Sequence, residues 1–173
     1  KEELIAAGYR FESETDTEVV AHLIDQQMRQ CGDLLTAVQR SAARLTGAYS
    51  LGVICRQDPE RLIAARAGSP LVLGVGIEEH FIASDVFALA PVTQTFVFLE
   101  EGDIAEVRRE GYTIYDRAGQ LVERPVSYTA QQGGMVGHGL QALFDIRQTG
   151  VQRAFLLGAL RLLQKLLGLQ FRL

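Results

Sequence analysis

The chain has 173 residues, 47% of them hydrophobic and 22% charged, with a formal net charge of −4 and two cysteines. That length and composition suit one globular domain with an appendage and a substantial core. The acidic balance argues against a general nucleic-acid binder. Cys31 and Cys55 have neither CxxC spacing nor a Cys/His cluster beside them, which argues against a disulfide framework or a zinc site.

The first run, KEELIAAG, reads as the end of a helix stopped by Gly8, so the chain reads as a fragment, and residues 1–20 carry no signal-peptide pattern. YRFES reads as a short strand. SETDTEVVAHL, residues 13–23, then sets Glu14, Asp16 and Glu18 directly before an apolar stripe. Thr15 begins a capping box, with Glu18 three residues on to reach back. Val19, Val20, Leu23, Ile24 and Met28 recur at helical spacing until Gly32 breaks the run. Asp33 caps a second helix with Leu34, Leu35, Val38, Ala42 and Leu45 on its inner face. Two amphipathic helices are therefore expected over roughly residues 16–45.

The texture changes after Leu45. GAYSLGVIC, RLIAARA, PLVLGVG, HFIAS, TFVFLE, DIAEVRR and YTIYD are short and rich in β-branched or aromatic residues, with QDPE, GSP, EEGD and RAGQ as turns between them. Such close spacing implies antiparallel hairpins, and several runs are apolar enough to be covered on both faces. Helices followed by a strand meander predict an α+β layered domain ending near Pro125. Residues 126–139 read as a Gly-rich linker. Residues 140–173 read as a leucine-rich, basic helical tail, one that binds a membrane surface or protein partner, packs on the domain, or is not the native continuation of the domain.

Pattern alone assigns little chemistry. Carboxylates in a helix's first turn are stabilised by the amides there, so capping explains Glu14, Asp16 and Glu18 unless one faces a cationic ligand. Gly68, Gly74 and Gly76 match no phosphate loop and read as a turn and tight strand packing. His22, His80 and His138 are far apart and read as surface or satisfied histidines. Ser69 and Ser84 lack a GxSxG context, and the EEGD acids at 100–103 read as a solvated turn.

Several stretches together carry more. GYRFESETDTEVVAHLI, LTGAYSLGVI, LIAARAGSPLVLGVG, FIASDVFALAPVT, FVFLEEGDIAEVRR and IYDRAGQLVER, in this order and spacing, resemble the glutaminase domain of the glutamine–fructose-6-phosphate aminotransferase (isomerizing) family, over about residues 1–125. The resemblance implies an N-terminal-nucleophile hydrolase fold, with two antiparallel sheets between helix layers. It implies L-glutamine as nitrogen donor, attacked by an N-terminal cysteine thiolate whose own α-amine is the base, with an asparagine and a backbone N–H at the oxyanion. Ammonia would pass to an isomerase domain holding fructose 6-phosphate, giving glucosamine 6-phosphate. No metal or cofactor, nucleic acid or membrane is implied, and the parent enzyme is expected to be a cytoplasmic homodimer.

In that family the middle Asp of ETDTE binds the α-ammonium of glutamine, so the resemblance makes Asp16 a substrate-binding residue, with Thr15 and Glu18 capping. The family's nucleophile lies before the position of Lys1, and Cys31 and Cys55 are read as structural. No catalytic residue transfers. The chain alone is expected to be an inactive part of such an enzyme, 1–125 being a partial glutaminase domain and 140–173 an unmatched tail. The alternative is a non-catalytic interaction module whose basic tail binds a membrane surface or a partner.

Overall fold

The computed structural model describes residues 1–128. The expected helical tail, and the linker beyond Tyr128, lie outside the described residues.

Helix α1, Glu2–Ala6, ends in a reverse turn in which Gly8 N–H donates to Ile5 O at 2.9 Å and Tyr9 N–H to Leu4 O at 3.0 Å. Helix α2, Asp16–Cys31, starts at Thr15, whose side chain accepts the Glu18 N–H, and closes at Gly32. Helix α3, Leu34–Ala42, starts at Asp33, whose carboxylate accepts the Thr36 N–H at 2.8 Å. Both helices start where their caps place them, but α3 ends at Ala42 and leaves Leu45 beyond the helix.

Nine strands follow: β1 Tyr49–Cys55, β2 Asp58–Ala67, β3 Val72–Val75, β4 His80–Ala83, β5 Thr95–Phe98, β6 Ile104–Val107, β7 Tyr112–Tyr115, β8 Leu121–Val122 and β9 Val126–Tyr128. They form two sheets, in the orders β1-β2-β6-β7-β8 and β4-β3-β5-β9. Every ladder in both is antiparallel. A one-turn helix, α4 (Val86–Leu89), sits between β4 and β5 and is capped by Asp85.

Strand alternation distributes the core into three layers. Ile63 and Ala65 of β2 face α2 and α3, packing with Ile24, Leu34, Ala37 and Val38. Ala64 between them faces the other sheet, meeting Leu73, Val97, Ala105 and Ile114. The far face of that second sheet packs Val72 and Phe96 against Leu89 of α4. The order is therefore helices, sheet, sheet, helix, which is the α+β arrangement expected. Arg61 of β2 reaches the Asp33 carboxylate at 2.9 Å and ties the α3 cap to the sheet.

The structure corrects three details. YRFES is not a strand; residues 9–13 are irregular, because the N–H groups of Glu12 and Ser13 are taken by a side chain of α2. EEGD is not simply a solvated turn. Asp103 is fully buried, bonded to the Glu100 N–H and to Arg124, while Glu101 accepts the Gly68 N–H at 2.9 Å. Strand β9 begins directly after Pro125 and continues the second sheet beside β5 to Tyr128, within the stretch read as linker.

Candidate functional site

The segment from Tyr9 to Asp16 is laid onto one face of α2 by side chains one and two turns apart. Tyr9 Oη donates to Asp25 at 2.7 Å. His22 Nε2 stands 3.1 Å from the Arg10 carbonyl, with its ring edge-on to Phe11 at 4.7 Å. Glu18 does most. One carboxylate oxygen accepts the Glu12 N–H at 2.8 Å, and the other accepts the Ser13 N–H at 2.8 Å and the Ser13 hydroxyl at 2.5 Å. Positions 18, 22 and 25 share a face because residues four and seven apart do so on any α-helix.

Glu18 is only 3% exposed. Its bonds to the Ser13 hydroxyl and the Glu12 amide outweigh burial and hold its carboxyl down at about 2, with the Ser13 N–H and His22 adding to the effect. A depressed folded value means that the contribution of this carboxylate is complete above the ordinary value of 4.5 and is lost as pH falls through about 2. A carboxyl-carbon NMR titration of Glu18 is therefore expected to turn near pH 2, together with the amide shifts of Glu12 and Ser13. A midpoint near 4.5 would show that the carboxylate does not hold those amides.

Asp16 lies at the first position of α2, beyond the anchored loop, and is exposed. Its carboxylate has the Thr17 hydroxyl at 3.5 Å. Among the described residues no Lys, Arg or His forms an ion pair with it. A carboxylate at the N-terminus of a 16-residue helix is stabilised in its charged form by the amide dipoles there. Glu14 is exposed as well, but it precedes the cap and lies off the helix.

Cys31 Sγ donates to the Asp33 carbonyl at 3.3 Å and Cys55 Sγ to Gln57 Oε1 at 2.8 Å. Among the described residues no group of three or more His, Cys, Asp or Glu is placed to hold a metal ion. His80 begins β4, remote in sequence from His22, and its ring lies 5.7 Å from that of Tyr112. His138 lies outside the described residues. The capping-box pattern turns Glu18 back to Thr15, but its oxygens go to Glu12 and Ser13; Ser13, a donor just ahead of Thr15, is the one sequence signal for the longer reach.

A family profile described as "Glutamine amidotransferase domain" matches residues 1–91. The chain belongs to the glutamine amidotransferase family. Its fold is that of the family: a solved structure of glutamine phosphoribosylpyrophosphate amidotransferase from B. subtilis, complexed with ADP and GMP, superposes with a TM-score of 0.57 at 25% identity, over 69% of this chain and 26% of that one. The two-sheet core is thus the N-terminal-nucleophile hydrolase type.

Sequence relatives place this amidotransferase domain more closely. It is 52% identical over 146 residues to glutamine–fructose-6-phosphate aminotransferase (isomerizing) of Yersinia pseudotuberculosis, covering 82% of this chain and 24% of the relative. The Xanthomonas campestris enzyme of the same name is 52% identical over 126 residues, 73% of this chain and 21% of the relative. The Escherichia coli enzyme is 49% identical over 146 residues, 82% and 24%. The chain spans about a quarter of the length of these relatives.

Among the described residues no helix is long and apolar enough to cross a membrane.

Proposed function

We propose that this chain supplies glutamine-binding structure to an amidotransferase that moves the amide nitrogen of L-glutamine onto fructose 6-phosphate, and that Asp16 holds the α-ammonium of the glutamine. The observation that carries the reading is the state of Asp16: exposed, in no ion pair among the described residues, at the first position of α2, and preceded by a loop whose Glu12 and Ser13 amides are held by Glu18. A carboxylate so placed gains a charge-assisted bond to an ammonium without first losing a partner. The high identity to enzymes named for this transfer supports the choice of acceptor.

Thiol attack on the amide needs a thiolate beside a base. Cys31 and Cys55 are the only cysteines, and both thiols are bonded to structural acceptors. Residues 1–173 are therefore expected to bind glutamine without turning it over. Hydrolysis by the purified chain that disappears in a Cys31→Ser, Cys55→Ser variant would overturn this.

The binding role is tested by calorimetric titration of the chain with L-glutamine. Asp16→Asn keeps the size and the helix start and removes the charge. It is expected to weaken binding by about 10- to 100-fold, the worth of a hydrogen bond to a charged group. Unchanged affinity would remove Asp16 from the site.

A further inference from the structure

Glu18 is one turn into α2, and a capping role would use one of its oxygens on the Thr15 N–H. That is not where it goes. The Thr15 N–H is 3.3 Å from Ser13 Oγ, and both Glu18 oxygens reach past the cap to Glu12 and Ser13. The direction of every hydroxyl proton follows, because an ionised carboxylate only accepts. The Ser13 hydroxyl must donate to Glu18, at 2.5 Å. The Thr15 hydroxyl must then donate to Ser13 Oγ, at 2.8 Å, and is left to accept the Glu18 N–H at 3.4 Å. The result is a closed circuit from the Glu18 carboxylate through Ser13 and Thr15 to the Glu18 backbone, and Asp16 is the residue that leaves it.

Burying a carboxylate to 3% exposure is costly unless its lone pairs are filled, and a solvent-exposed acid would stabilise the helix start nearly as well. The burial is explained if the loop itself is what needs fixing. We propose that Glu18 is a positioning residue for amino-acid recognition: it fixes the Glu12–Thr15 backbone so that Asp16 is already set for an α-ammonium when the ligand arrives. This rests on the reading of Asp16 given above. Ordering the loop in advance removes that cost from binding. The gain is expected at the ammonium, since Asp16 is the residue that follows the Glu12–Thr15 backbone held by Glu18.

The test uses two probes on the full chain, L-glutamine and 4-carbamoylbutanoate, which is glutamine without its α-amino group. Wild-type chain is expected to prefer L-glutamine, and Asp16→Asn to abolish the preference. Glu18→Gln places an NH₂ against backbone donors and is expected to reduce the preference about tenfold, leaving 4-carbamoylbutanoate affinity unchanged. Ser13→Ala, which removes one bond only, is expected to reduce it by a smaller factor and covers the case in which Glu18→Gln does not fold. Combining Glu18→Gln with Asp16→Asn is expected to add nothing to Asp16→Asn. If Asp16→Asn abolishes the preference while Glu18→Gln and Ser13→Ala retain it, the positioning role is wrong and the Asp16 reading stands. Equal weakening toward both probes makes Glu18 a merely structural residue. If Asp16→Asn leaves the preference intact, or the wild-type chain takes up neither probe, the Asp16 reading fails and the positioning role falls with it.

Discussion

Replacing Arg124 by methionine is expected to lower stability by about 3–5 kcal/mol and the melting temperature by roughly 10–20 °C, as seen by thermal unfolding followed by circular dichroism. The reason is the carboxylate that would be left behind. Asp103 is fully buried where the β5–β6 turn meets the end of β2. Arg124 grips it with a fork, Nε to Oδ2 at 2.8 Å and Nη2 to Oδ1 at 2.9 Å, and the Glu100 N–H adds a third bond at 2.7 Å. Burial alone would push the Asp103 carboxyl up. The Arg124 pair, the Glu100 N–H and the charge of Arg66 together outweigh it and hold the carboxyl below its ordinary value.

The sign of the pH dependence follows. In the wild-type chain Asp103 contributes stability above its ordinary value of 3.8, and that contribution is lost as pH falls through the lower folded value. In Arg124→Met the burial wins, so the group becomes easier to protonate in the folded state. The deficit of the variant should then be largest near neutrality and shrink in mild acid. Adding Asp103→Asn to Arg124→Met removes the stranded charge and is expected to recover part of the loss. A deficit below about 1 kcal/mol, constant with pH, would mean that the pair behaves as an exposed one.

Features whose cause is local were legible in the sequence. Thr15 and Asp33 cap α2 and α3 through bonds to residues three positions on, and Leu23, Ile24, Leu34 and Val38 of the apolar stripes behind them are buried. The strand meander was legible from its turns. The failures all have distant or very short causes. The aromatic YRFES pattern suits a strand, but the partner for its amides is Glu18, which lies on the face of a helix and not on a neighbouring strand. Helix α4 is four residues long, too short for any period, and only Asp85 ahead of it and Pro91 behind it bracket a turn. Asp103 looked like one more acid in a turn because the arginine that buries it is 21 residues away. At the site, pattern could not separate Asp16 from Glu14. The choice of Asp16 rests on resemblance; in the structure Asp16 is the first residue of α2, while Glu14 precedes its cap.

Gly68→Ala is expected to cost about 2–5 kcal/mol in urea unfolding, the sum of two independent penalties. Gly68 follows β2 in AGSPLV with φ at +68°, which costs a side chain about 1–2 kcal/mol. A Cβ there would also stand 2.6 Å from Ala48 Cβ and 3.0 Å from Ala48 Cα, because the start of β1 bridges to the same turn through Tyr49. Overpacking of that kind adds about 1–3 kcal/mol. Gly119 separates the two terms. Its φ of +76° is similar, but nothing lies within 4 Å of the position of its Cβ. Gly119→Ala should therefore cost only the backbone share. Ala48→Gly in the Gly68→Ala background should recover part of the overpacking and none of the backbone strain. Equal losses in Gly68→Ala and Gly119→Ala would show that β1 can move away from the turn. The glycine of AGSPLV would then be needed for its backbone angle alone, and the close approach of β1 to the second strand's end would hold nothing in place.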